Sequence, residues 1–130
     1  MGVDDPVVRV TPGELQEADP TPGMVREEAI AVGGMWAGLV RTEARAASGW
    51  HHHGDHDTTI YVVEGDVRIE FGPDGERVME AGPGDFIHVP KHVVHRESNP
   101  ADVASRIVVV RAGRGPTTIN VQGPHKARKD

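Results

Sequence analysis

The chain contains no cysteine, which excludes disulfides, thiolate zinc sites and cysteine nucleophiles and removes the usual clue to redox compartment. Aromatic residues are scarce, with two Trp, one Tyr and two Phe in 130 residues. No apolar run approaches the roughly 20 residues needed to cross a bilayer, and the first residues lack a signal-peptide pattern. No membrane association and a cytoplasmic location are therefore expected. Basic charge is also short, with 14 Lys and Arg against 20 Asp and Glu and a net charge of −6. An acidic surface repels phosphate backbones, so nucleic acid is not an expected partner. No convincing helical period runs through the sequence either.

What the chain does have is punctuation. Sixteen Gly and ten Pro divide it into short segments joined by tight turns, which suits an all-β architecture. Val67, Ile69 and Phe71 alternate with Arg68 and Glu70, the period-two pattern of a half-buried strand. Gly72-Pro73-Asp74-Gly75 reads as a turn, with Arg77 to Glu80 returning as the hairpin partner. Turn signals at Gly65-Asp66 and Gly82-Pro83-Gly84-Asp85 bound further strands over Thr58 to Glu64 and Phe86 to Val89, and Arg106 to Arg111 reads as another. Eight to ten strands spaced about 8 to 12 residues apart suggest a sandwich or barrel. The expected organisation is an irregular arm or edge addition over residues 1–23, a barrel over 24–122, and a basic tail over 123–130 carrying Lys126, Arg128 and Lys129. Within the arm, Val7 to Val10 reads as a short strand. The domain is large enough to fold without a structural metal, leaving a metal free for chemistry.

His51 and His53 are two residues apart. On an extended segment both imidazoles face one side while His52 faces the other. His95, on a later segment, is placed to complete a three-imidazole site. Such a set suits iron, zinc, nickel or copper better than magnesium or calcium, which prefer oxygen ligands. Taken alone, the pair fits a histidine-rich surface loop equally well.

The spacing around the histidines resembles the cupin superfamily. His51, His53 and Gly65 match its first motif, and Gly84, Pro90, His95 and Asn99 match its second at the required offsets. Between Gly65 and Gly84 lie 18 residues that hold a hairpin, and the resemblance runs from about Leu39 to Val110. It implies an antiparallel double-stranded jelly-roll β-barrel holding one divalent ion on His51, His53 and His95. Three positions depart from the motifs. Arg45 stands at the opening glycine (Gly49 is nearby), His92 stands at the glycine of the Pro-x-Gly turn, and Thr58 stands where the family usually has a metal-binding glutamate.

Three neutral imidazoles leave the ion its full charge and about three open positions, which favours an anionic, chelating ligand. Three-histidine cupins include diketone-cleaving and thiol dioxygenases. The resemblance thus implies non-haem dioxygenase chemistry with Fe2+ (Zn2+, Ni2+, Cu2+ and Mn2+ being the other candidates) on a small organic substrate. The alternatives are a metal-dependent isomerase or decarboxylase, and a binding or sensing module without catalysis. Thr58 is a candidate to hold a metal-bound water, and His92 to carry protons near the mouth. His56, Asp55 or Asp57 is a candidate fourth ligand. Ile60 and Val62 share the parity of Thr58 and are expected to line the pocket, with Tyr61 facing outward. Trp36 and Trp50 either wall the site, pack in the core or mediate a dimer. His88 is expected to be packed or hydrogen-bonded, and Asn99 to cap a turn. A homodimer is expected, through a sheet edge or the N-terminal arm.

Overall fold

The computed structural model describes residues 6–19 and 21–124. Apart from one turn of 3-10 helix at Pro12–Glu14, its regular structure is strand. The eleven strands are β1 (Gln16–Glu17), β2 (Met24–Val32), β3 (Met35–Thr42), β4 (His51–His52), β5 (Asp55–Glu64), β6 (Val67–Phe71), β7 (Arg77–Ala81), β8 (Phe86–Val89), β9 (His95–Ser98), β10 (Ser105–Arg114) and β11 (Ile119–Asn120). They form two antiparallel sheets, ordered β1-β2-β3-β10-β5-β8 and β11-β4-β9-β6-β7. Strands neighbouring in space are often distant in sequence, as β10 is from β3 and β9 from β4, which is the jelly-roll arrangement. The fold is the expected all-β double-stranded jelly roll.

Turn chemistry sets the hairpins. Gly33 and Gly34, at φ 39° and 89°, form the two-residue turn joining β2 to β3. Positive φ at both centres matches strand twist and is open to glycine at no steric cost. Gly65 turns β5 into β6 at φ 83°, and a Cβ there would lie 2.7 Å from the Ser105 backbone. Close approach explains that motif glycine.

Alternation then sorts side chains into layers. In the large sheet, register aligns Ile107 with Val40 and Val62, Val109 with Gly38 and Ile60, and Arg111 with Trp36 and Thr58. The first two layers join Met24, Val67, Ile69, Ile87 and Val89 in one buried apolar cluster. Each such side chain contributes on the order of 2 kcal/mol by leaving water. The third layer is polar, so the interior changes from a dry core at one end to a functional end at the other.

Val7 to Val10 does not form a strand. Val7 and Val8 are 81% and 66% exposed, and without a pairing partner extended backbone gains no ladder of hydrogen bonds. The arm instead places β1 on the edge of β2, through Gln16↔Glu28 and Glu17↔Glu27. Lys126, Arg128 and Lys129 lie outside the described residues.

Candidate metal centre and its cavity

β4 and β9 pair at His51↔His95, so two of the three expected ligands are direct cross-strand neighbours. His53 follows with the parity of His51. Ring centroids of His51 lie 5.0 Å from His53 and 4.4 Å from His95, with 5.1 Å between His53 and His95. All three residues are 3% exposed or less, and one ring nitrogen from each falls within 4.8 Å of the others.

Backbone carbonyls fix which nitrogen faces inward. The Nδ1 atoms of His51, His53 and His95 lie 3.0, 2.7 and 2.9 Å from the carbonyls of Gly49, Thr117 and Val93. A carbonyl only accepts, so each Nδ1 is the protonated donor and each Nε2 keeps its lone pair. The Nε2 atoms of His51 and His95 are buried with no hydrogen-bond partner. Orphaned lone pairs of this kind, converging in the interior, fit a divalent transition metal. Burial depresses the basicity of His51, partly offset by Glu97 and reinforced by His95. Burial first, and Arg111 second, push His53 down to about 3. Both imidazoles are therefore neutral at neutral pH, as metal ligands must be.

A carboxylate approaches the histidines from another strand, although it is not part of the three-histidine cluster. Glu97 sits two residues beyond His95 on β9, and its Oε2 lies 3.8 Å from His51 Nε2. Burial alone would raise its pKa, but the Arg111 guanidinium and, in the acid range where they protonate, the facing imidazoles of His95, His51 and His53 outweigh that and hold it below the ordinary value. Parity with His95 was the sequence signal for Glu97.

Asp55, His56 and Asp57 do not join the imidazoles. Asp55 and Asp57 point outward along β5 and pair with His92 at 2.8 Å and His88 at 3.0 Å. His56 points inward, but its Nδ1 lies 3.1 Å from the His53 carbonyl and it is not part of the three-histidine cluster. His92 is exposed, on the rim of the β8–β9 turn, and not on the cavity wall. Thr58 is buried beside Arg111 in register, with its Oγ1 unpartnered. Ile60 and Val62 face inward into the apolar core and are not among the cavity's lining residues. Tyr61 faces outward against Phe86.

His51 opens onto a cavity of about 580 Å³, shared with Arg26, Glu28, Trp36, Arg111 and Asn120 among others. Trp36 is a wall of this cavity. Its indole N–H donates to Glu28 at 2.8 Å, and Arg111 lies over its ring at 5.0 Å. Gly38, two residues on, leaves room for the ring, since a Cβ there would come within 2.6 Å of it. Trp50 instead stacks under Arg96 at 4.7 Å and is not among the cavity's lining residues.

The family described as Cupin domain matches residues 38–111. The protein YdbB of Bacillus subtilis is 40% identical over 47 residues, which covers 36% of this chain and 40% of YdbB. The match thus spans well under half of that relative. Among solved structures, KdgF from a Halomonas species superposes with a TM-score of 0.71 at 24% identity, over 84% of this chain and 96% of that one. The polyketide cyclase RemF of Streptomyces resistomycificus gives 0.74 at 22% identity, over 88% and 85%. At these identities the likeness is one of fold.

Proposed function

This chain belongs to the cupin family, and on that footing we propose that it is a metal-dependent enzyme acting on a small organic substrate that chelates through oxygen. The observation that carries this reading is the convergence of three buried imidazoles whose outer nitrogens are tied to carbonyls. His51, His53 and His95 would hold the ion. A divalent ion there supplies Lewis-acid polarisation of the substrate's oxygens and, where it is iron, redox capacity toward dioxygen.

The chain's own residues perform the rest. Trp36 walls the cavity beside His51, and Thr58 offers a buried hydroxyl in the layer of Arg111. Glu97 brings a carboxylate 3.8 Å from His51, placed to take a proton from a chelated substrate or to serve as a fourth ligand. This favours proton-transfer chemistry such as isomerisation, decarboxylation or cyclisation over the dioxygenase reading. That likeness in fold extends to a cyclase, RemF, is compatible with this order. Dioxygenation with Fe2+ is retained as the second reading because Thr58 occupies the usual glutamate position and leaves the set of histidines neutral. The expected homodimer is also part of the proposal, and light scattering decides it.

The test begins with metal content, then follows two signals on the loaded protein. Anaerobic hydrogen–deuterium exchange at the acidic C–H of β-diketones and 2-hydroxy acids reports proton transfer, and oxygen uptake with iron(II) and β-diketones or thiols reports dioxygenation. Exchange is expected to disappear in His51→Ala and in Glu97→Gln, with metal retained in the latter. Exchange that survives both changes would overturn the assignment. A protein that takes up no metal and binds small acids equally well after His51→Ala would be a binding module.

A further inference from the structure

Two arginines line the cavity without a direct ion pair to any described carboxylate. Arg26 and Arg111 are 8% and 6% exposed, and the Nε of each is buried with no hydrogen-bond partner. Arg26 donates from one Nη to the Asp19 carbonyl at 3.1 Å and the Thr21 hydroxyl at 2.5 Å. Arg111 rests on Trp36, and none of the hydrogen bonds among the described residues involves its guanidinium. No carboxylate of a described residue comes within 4.0 Å of either guanidinium. The nearby acids are Glu17, Asp19 and Glu28 on the cavity wall, and Glu97 beside His51.

Burying a charge without a partner costs several kcal/mol. Arg111 also remains charged at neutral pH, since burial, partly offset by the more distant Glu97 and Asp19, lowers its pKa only to about 10. Two such cations facing one cavity are repaid when an anion enters it. The planar fork of a guanidinium matches an oxyanion with two parallel hydrogen bonds. Three carboxylates on the cavity wall, with Glu97 nearby, oppose a doubly charged phosphate more strongly than a singly charged carboxylate.

We propose that Arg26 and Arg111, with the Thr21 hydroxyl, form a carboxylate subsite, so that the substrate is a small acid bearing a second carboxylate beyond its chelating head. This rests on the function proposed above. A cavity of about 580 Å³ is ample for an acid of this size.

Cobalt(II)-loaded protein provides the test, because its visible spectrum reports chelation and calorimetry reports affinity. The probes are malate, 2-hydroxyglutarate and 2-hydroxyadipate, each against the 2-hydroxy monoacid of the same chain length. At one chain length or more the diacid is expected to bind about tenfold tighter or better, the effect of a charge-assisted hydrogen bond. That preference should vanish in Arg26→Lys and Arg111→Lys, which keep the charge but lose the fork, while cobalt affinity and spectrum stay unchanged. The subsite is overturned if no diacid gains over its monoacid, including when neither binds, or if the preference survives in both variants. Failure to take up cobalt sinks the metal reading separately. In that case glutarate must still raise the melting temperature of the wild-type protein more than butanoate does, and not that of the variants, or the subsite falls too.

Discussion

Replacing Thr58 with valine probes the interior of the site without changing its shape. Thr58 is 1% exposed, and its Oγ1 has no hydrogen-bond partner. Its register neighbours are Arg111 on one side and Val89 on the other. A hydroxyl removed from water without a partner costs about 1–3 kcal/mol. Valine keeps the volume and the β-branched shape favoured in a strand and removes that cost. Thr58→Val is therefore expected to stabilise the metal-free protein by about 1–3 kcal/mol, which for a domain of this size raises the melting temperature by roughly 3–6 °C per kcal/mol. Urea unfolding after chelation reads this directly, as a higher midpoint at unchanged slope. With metal bound, the gain should shrink if the hydroxyl serves, as expected from the sequence, to hold a metal-bound water. A loss of more than about 1 kcal/mol in the metal-free protein would refute the reasoning, since it would mean that the hydroxyl already has a structural partner.

The second motif's asparagine acts as a structural clamp. Asn99 Nδ2 reaches the carbonyls of Thr42, Glu43 and Val103, and its Oδ1 accepts from the Ala101 N–H. Asn99→Ala should cost about 3 kcal/mol in urea unfolding, at about 1 kcal/mol per bond for the shorter contacts plus the carbonyls left unpaired. Arg45 holds φ at 61°, and Arg45→Gly should gain up to about 1 kcal/mol by relieving left-handed strain; a loss of stability would contradict this. For the buried imidazoles the sign follows from depressed folded-state pKa values. His51 lies below its ordinary value and His53 near 3, so as pH falls below about 6.5 the unfolded chain binds more protons. The metal-free protein should therefore be fully stabilised above that pH and lose stability progressively below it, as followed by thermal melts across an acid series.

Much of the site was legible because two regularities coincide in it. Strand parity put His51 and His53 on one face, and fixed offsets from Gly65, Gly84, Pro90 and Asn99 tied them to His95. The same parity separated Thr58, Ile60 and Val62 from Tyr61. Parity does not, however, say how deep along the barrel a residue sits, so Ile60 and Val62 fell into the dry core below the cavity. Nor does proximity to His53 in sequence bring Asp55 and Asp57 to the imidazoles. β5 in fact begins at Asp55, and the alternation sends both acids outward. The two departures from motif glycines have a glycine-like backbone. Arg45 and His92 are the non-glycine residues with positive φ among those described, at 61° and 64°, the conformation that glycine adopts at no steric cost.

The residues that composition hid are the charged ones in the interior. Charged side chains are almost never fully buried unless paired, so Arg26, Glu97 and Arg111 read as surface until the register is known. Once β2, β9 and β10 are placed, alternation leaves no other position for them. Arg26 shares a face with Met24, Glu97 with His95, and Arg111 with Ile107 and Val109. These placements also give a reason for threonine at position 58. A glutamate there would stand in register with Arg111 and offer it a permanent counter-ion. With threonine at 58 the carboxylate comes from β9 beside His51, and Arg111 is left charged and without a hydrogen bond at the cavity. Threonine at 58 thus leaves Arg111 without a carboxylate in register beside it, which is the condition the proposed carboxylate subsite requires.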